Sequence, residues 1–158
     1  MFSDLKKDFI ISTDKSKIDI AAVHNYLSKE SYWAKNISLD TLTKSIDGAF
    51  CFGVYKIDTV TAFTQVGFAR VITDKATFGY LADVFIVEQY RGLGLSKWLM
   101  FEIMNHTDLQ GFRGWMLGTK DAHGLYEKFG FKLLQNSERI MRLILLDAYP
   151  EIKDTASE

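Results

Sequence analysis

Six consecutive residues, Gln89-Tyr90-Arg91-Gly92-Leu93-Gly94, stand between the most apolar stretch of the chain and an almost wholly apolar helix pattern. A turn that opens a helix presents up to about four unpaired N–H groups and about half a positive charge. Glycines there let the backbone come close to a ligand and adopt conformations closed to other residues. The chemistry such a turn offers is an anion cradle, suited above all to phosphate or pyrophosphate, with Arg91 at its rim as a permanent cation. The same glycines could instead merely shape a tight strand-to-helix turn. Two common glycine-loop patterns are not met. Gly92-Leu93-Gly94-Leu95-Ser96-Lys97 lacks the third glycine of G-x-G-x-x-G, and no G-K-[ST] closes it.

Other residues that could carry chemistry are few. Asp83 is the one charge in an otherwise apolar run, Tyr80 to Val87, and Arg70 is available on a neighbouring strand to pair with it. His123 is an imidazole able to titrate near neutrality. His24 and His106 have no partner identifiable from sequence, and no Cys/His spacing makes a metal site. Cys51 is the single cysteine, so it forms no internal disulfide and reads as a packed strand residue.

The elements that must position these groups follow from periodicity. Phe9 to Ser12 reads as a first strand, and Thr13 and Asp14 offer caps for a helix over about Lys17 to Leu27, with Ile18, Ala21, Ala22 and Tyr26 on one stripe. Ser38 can cap a helix over about Leu39 to Ile46. Phe50-Phe52-Val54 and Val66-Phe68-Arg70-Ile72 alternate as strands, and Thr73-Asp74-Lys75 supplies a polar turn. Tyr80 to Val87 has the pattern of a central strand covered on both faces, with Leu81, Asp83 and Phe85 sharing one face. A helix follows over about Leu95 to Met104, apolar nearly all round. A strand over Trp115 to Thr119 and a helix over about Asp121 to Phe129 come next. Strands near Phe131 to Leu134 and Arg139 to Leu146 close the chain. The order β-α-α-β-β-β-α-β-α-β-β implies an α/β fold: a mixed, mostly antiparallel central sheet with helices on both faces.

Composition bounds the rest. The 158 residues are 47% hydrophobic and 14% aromatic, enough for one compact core and too rich in aromatics for disorder. Residues 1–146 read as one domain and 147–158 as a polar tail. Nineteen basic against twenty acidic residues leave a net charge of −1, which gives no field for nucleic acid or an anionic membrane. MFSDLKKDFIIS lacks the apolar core of a signal peptide, and no stretch is long enough to span a bilayer. A cytoplasmic domain is expected.

VFIVEQYRGLGLSKWLM resembles the acyl-CoA-binding motif of the GNAT superfamily of acetyl-CoA-dependent N-acetyltransferases, Q/R-x-x-G-x-G/A, with Gln89, Gly92 and Gly94 in its defining places. A second segment, Ala122-His123-Gly124-Leu125-Tyr126-Glu127-Lys128-Phe129-Gly130-Phe131, is similar to that family's late helix with its Y-x-k-x-G-F ending. The resemblance covers about residues 9–146. It implies an acyl-CoA N-acyltransferase fold, with the thioester in a V-shaped gap between two parallel strands that splay apart.

By that resemblance, backbone groups of Phe85, Ile86 and Val87 face the pantetheine and acetyl carbonyl. Amides of Arg91, Gly92, Leu93, Gly94 and Leu95, with Ser96, take the pyrophosphate. Tyr126 donates to the departing thiolate. The proton of the attacking ammonium goes to Asp83, His123 or water. The acceptor pocket falls around Ser31-Tyr32-Trp33-Ala34-Lys35, where Tyr32 and Trp33 either stack on an amine or close the core as an apolar lid. The implied activity is acetyl transfer from acetyl-CoA to a primary amine, small molecule or peptide, with no metal and with a homodimer as one assembly. A non-catalytic acyl-CoA-binding module on the same fold is the alternative.

Overall fold

The structure is a computed structural model that describes residues 2–143, 145 and 149. Five strands form one sheet in the order β1-β2-β3-β4-β5. They are β1 (Phe9–Ser12), β2 (Phe50–Ile57), β3 (Phe63–Thr73), β4 (Phe78–Ile86) and β5 (Gly114–Leu117). The first four are antiparallel neighbours, and β5 alone runs parallel to β4. The expected mixed, mostly antiparallel sheet is the observed one.

Helices cover both faces. On one side, α1 (Leu5–Asp8), α4 (Leu95–Asn105) and α5 (His123–Tyr126) pack over a core that includes Phe52, Val54, Val71, Leu81, Leu99 and Ile103. On the other, α2 (Ile20–Asn25) and α3 (Leu39–Asp47) enclose Val23, Leu27, Leu42, Phe68 and Phe85. Four of the five residues buried along α4 are large apolar side chains in its central turns, in keeping with its apolar pattern.

Several local expectations are corrected. The helix expected over Lys17 to Leu27 is divided. Asp14 caps only a short 3₁₀ turn, Lys15–Lys17, while Asp19 accepts from the Ala22 amide and opens α2. Its buried stripe is therefore Val23, Tyr26 and Leu27, with Ala21 exposed. A π-helical turn, Tyr26–Glu30, carries the chain out of α2. The late helix is shorter than Asp121 to Phe129: α5 passes into a 3₁₀ turn, Glu127–Phe129, stopped by Gly130 at φ 87°.

The closing strands are also corrected. Residues 131–143 join no ladder among the described residues, and Leu133, Met141 and Leu143 are exposed. An apolar run becomes a strand only where a neighbouring edge takes up its backbone, so pattern alone overstated these two. Asn136 at φ 57° starts a 3₁₀ turn, Ser137–Arg139, inside the stretch. Residues 144 and 146, at the end of the second expected strand, and most of the 147–158 tail lie outside the described residues.

Two β-bulges reset the faces of the central strands. One lies where β2 and β3 slip register at Val54/Tyr55, and the other where β3 and β4 slip between Phe68 and Arg70. At the second, Asp83 has φ 53° and the strand shifts phase. Leu81 consequently packs under α4, whereas Phe85 packs on the α2 and α3 side. The expectation that Leu81 and Phe85 share a face with Asp83 fails at this bulge.

Candidate active site

The β4–β5 ladder is short. It runs from Phe78↔Gly114 to Leu81↔Leu117 and ends there, just before the Asp83 bulge. Beyond it β4 continues to Ile86 in company with β3 alone, so the two parallel strands open a gap on that side. The Val87 amide donates to Val66 O at 2.9 Å, which fixes the alternation of this antiparallel pair. By that alternation Phe85 and Val87 turn their amides toward β3, and Ile86 turns its own toward the gap. The Ile86 carbonyl accepts from Arg91 Nε at 3.1 Å.

At the far end of the gap stands the glycine turn. A 3₁₀ turn, Glu88–Tyr90, leads into Gly92 at φ 80° and Gly94 at φ 93°, the residue that precedes α4. The Arg91 amide is already donated to Glu88 O at 3.1 Å. The amides of residues 92–97 have no acceptor among the described residues. A Cβ on Gly92 would meet nothing within 4 Å, and one on Gly94 only Leu5 Cδ1 at 3.8 Å. No side chain stands on the turn at Gly92 or Gly94, which allows the close approach to the backbone that a pyrophosphate site requires. Gln89 and Leu93 are exposed, Ser96 is half-buried and Leu95 is buried in the core. Arg91 does not reach outward as a free cation: its Nη2 donates to Tyr26 Oη at 3.0 Å, which ties the turn to the π-helical segment.

Along the other wall a cavity of about 330 Å³ is lined by Trp115 to Thr119, His123, Tyr126 and the start of the 131–134 stretch. Tyr126 is buried, and its hydroxyl makes no hydrogen bond among the described residues. Burial pushes this phenol up to about 12, with smaller contributions from Tyr32 and Asp121. It stays protonated at any physiological pH.

Asp83 is not a free carboxylate. It is buried, its Oδ2 is paired with Arg70 Nε, and its Oδ1 accepts from Trp33 Nε1 at 3.0 Å. Taking up a proton would cancel the charge that Arg70 answers. Trp33 and Tyr32 lie at the mouth of the gap, half-exposed and in edge contact at 5.0 Å. Tyr32 Oη accepts from the Lys120 amide at 2.9 Å. Sequence reasoning paired Asp83 with Arg70 and put Tyr32 and Trp33 at the acceptor pocket, but had no means of joining Trp33 to Asp83 or Tyr32 to Lys120, which lie 50 and 88 residues apart.

Of the other candidates, His123 sits exposed at the cavity wall. His24 bonds the Ile37 carbonyl, and His106 packs on Phe50. Burial pushes the Cys51 thiol up to about 11, so this cysteine is no nucleophile at neutral pH. Among the described residues no group of three His, Cys, Asp or Glu is placed to hold a metal ion, and no helix is long and apolar enough to cross a membrane.

Residues 50–133 match the family described as "Acetyltransferase (GNAT) domain". The chain belongs to the GNAT acetyltransferase family. A protein of Gibberella zeae named "Putative acetyltransferase FG08082" is 33% identical over 138 residues, 77% of each chain. A crystal structure from Xanthomonas campestris pv. campestris, described as a "putative acetyltransferase belonging to the gnat family", is 43% identical. It superposes with a TM-score of 0.84 over 90% of this chain and 97% of that one. The fold is also shared with a Clostridium acetobutylicum protein described as a "predicted acetyltransferase with acetyl-CoA", at 14% identity and a TM-score of 0.63 over 88% of this chain and 96% of that one.

Proposed function

We propose that this GNAT protein is a cytoplasmic enzyme that transfers the acetyl group of acetyl-CoA to a primary amine by direct attack. The observation that carries the reading is the opening of the β4–β5 ladder after Leu81 and Leu117, with unpartnered amides at the end of β4, while Tyr126 lines the cavity beside β5. The amides of Gly92, Leu93, Gly94 and Leu95, with Ser96, receive the pyrophosphate. That of Arg91 is spent on Glu88. Ile86 supplies the gap-side backbone N–H, and Phe85 and Val87 hold it in place through β3. Directed at the thioester oxygen, this N–H stabilises the tetrahedral intermediate.

The amine nitrogen forms its bond to the acetyl carbon, the C–S bond breaks, and the electron pair leaves with sulfur. Tyr126 donates a hydrogen bond to that sulfur as it departs. A phenol near 12 is a weaker acid than an ordinary thiol, so Tyr126 acts as a donor while solvent supplies the proton finally found on the thiol. The amine proton leaves to water, because both oxygens of Asp83 are engaged. Tyr32 and Trp33 form the acceptor-side wall of the gap. No metal enters the scheme. The exposed Leu133, Met141 and Leu143 are side chains that a second copy would cover as a homodimer, and a monomeric mass by light scattering would remove that assembly.

The deciding experiment is calorimetric titration of acetyl-CoA, followed by a pool of primary amines with free thiol monitored. Binding with amine-dependent thiol release is expected. Binding without release would support an acyl-CoA-binding module on this fold. No binding would reduce the glycine turn to a turn.

A further inference from the structure

We propose that residues 31–34 form a strap latched across the mouth of the β4–β5 gap, with Trp33 as its positioning residue, and that the latched strap keeps water from the thioester. The catalytic consequence rests on the acetyl-transfer reading above, whereas the strap itself rests on contacts alone. Its two anchors come from adjacent residues. Trp33 Nε1 donates to Asp83 Oδ1 at 3.0 Å, and Tyr32 Oη accepts from the Lys120 amide at 2.9 Å. Asp83 lies two residues beyond Leu81 and Lys120 three beyond Leu117, the last pair in the β4–β5 ladder. One dipeptide thus grips both strands at the point where their own hydrogen bonding stops. Neighbouring Cα atoms stand only about 3.8 Å apart, so the strap limits how far the strands can part there.

The strap is built to hold its shape. Ser31 is buried, its hydroxyl donates to Leu27 O at 2.6 Å and accepts from the Ala34 amide at 3.1 Å, and Ala34 is buried in the core. The two rings meet edge to face at 84°, with their centres 5.0 Å apart. Arg70 holds the far carboxylate oxygen of Asp83, which keeps that side chain aimed at the indole. Lys120 Nζ lies 5.7 Å from the centre of the Tyr32 ring and backs the second anchor. Asp83 and Arg70 therefore serve the strap rather than proton removal. A gap closed on this side would leave room for an amine and the single water that takes its proton, and would exclude the bulk water that otherwise hydrolyses the thioester.

Two substitutions each remove one anchor and keep a ring. Tyr32→Phe deletes the acceptor of the Lys120 amide, and Trp33→Phe deletes the donor to Asp83. In the ligand-free protein, hydrogen exchange of the Lys120 amide read by NMR should be slow in the wild type. It should quicken on the order of tenfold in Tyr32→Phe. Trp33→Phe touches neither atom of that bond, yet should quicken it to a similar degree, and the double variant should add little. With acetyl-CoA as the sole substrate, amine-independent hydrolysis should rise severalfold in both variants while acetyl-CoA affinity is unchanged. An unprotected Lys120 amide in the wild type, exchange unmoved by Trp33→Phe, or hydrolysis equal to wild type in both variants would each overturn the proposal. A wild type that does not bind acetyl-CoA would sink the transferase reading instead, and Lys120 exchange would still decide whether the strap exists.

Discussion

Both ends of the gap are bent by residues with left-handed backbone, and they are bent for opposite purposes. At the glycine turn, Gly92 and Gly94 take φ of 80° and 93° with nothing packed on them closer than Leu5, and the neighbouring amides are left without protein acceptors. At the bulge, Asp83 takes φ 53°, a conformation that Asp tolerates better than most residues, and its side chain is held by both Arg70 and Trp33. The first end leaves hydrogen-bonding capacity for a ligand. The second consumes its capacity inside the protein. A strained residue alone therefore does not mark a binding site; what its polar groups are bonded to decides.

The largest effect is expected where capacity is free. Gly94→Glu puts a carboxylate beside the proposed pyrophosphate at a backbone angle that L side chains resist. Like charges juxtaposed in a site cost several kcal/mol, so acetyl-CoA affinity by calorimetry should fall by more than about a hundredfold. Gly92→Ala, whose Cβ enters open space, should cost folding stability by about 1 kcal/mol and weaken binding far less. Equal losses in the two variants would mean that backbone conformation, and not anion contact, governs this end. Next in size is Tyr126→Phe, which should lower kcat on the order of a hundredfold with acetyl-CoA affinity and melting temperature unchanged, since the hydroxyl bonds nothing within the described residues. Wild-type turnover would return Tyr126 to the core.

At the bulge the sign of the outcome differs. Asp83→Asn removes the charge opposite Arg70, a side chain only 16% exposed, and should destabilise the fold by about 3 kcal/mol in chemical denaturation. The acidic limb of the pH–rate profile should stay where it was, because the amine proton goes to water. Loss of that limb with stability intact would make Asp83 a base and erase the contrast between the two ends.

The same contrast explains what the sequence made legible. The glycine turn is a local object: strand, turn and helix follow one another within about twenty residues, and its chemistry resides in the backbone. Strands β2 to β4 and helices α3 and α4 were likewise legible from periodicity to within a few residues. The bulge end was not. Its contacts join Trp33 to Asp83 and Tyr32 to Lys120 across the fold, and the bulge itself inverts the phase on which face assignment depends. Leu81 and Phe85, four residues apart, should lie on one face by period two and lie on two. The stretch from Phe131 onward was misread for a related reason, since strand character there depended on a neighbour that no local pattern names.

A third buried polar group calibrates the other two with the smallest expected effect. Tyr55 Oη is buried with no partner among the described residues, unlike the fully engaged Asp83. Burial pushes its phenol up to about 12, as it does that of Tyr126. A folded-state value raised above the unfolded one near 10 means that the unfolded chain gives up its proton first as pH rises. Stability is then fully present below about pH 10 and is lost as pH climbs toward 12. Tyr55→Phe removes an unsatisfied donor in place and should leave the protein at neutral pH as stable as the wild type or up to about 1 kcal/mol more so. The variant should also retain more of its stability between pH 10 and 12. Denaturant midpoints at pH 7 and pH 11 test both parts. A variant less stable than wild type at pH 7 would mean that the hydroxyl has a partner, such as a buried water, and that this group too belongs with Asp83 among the satisfied ones.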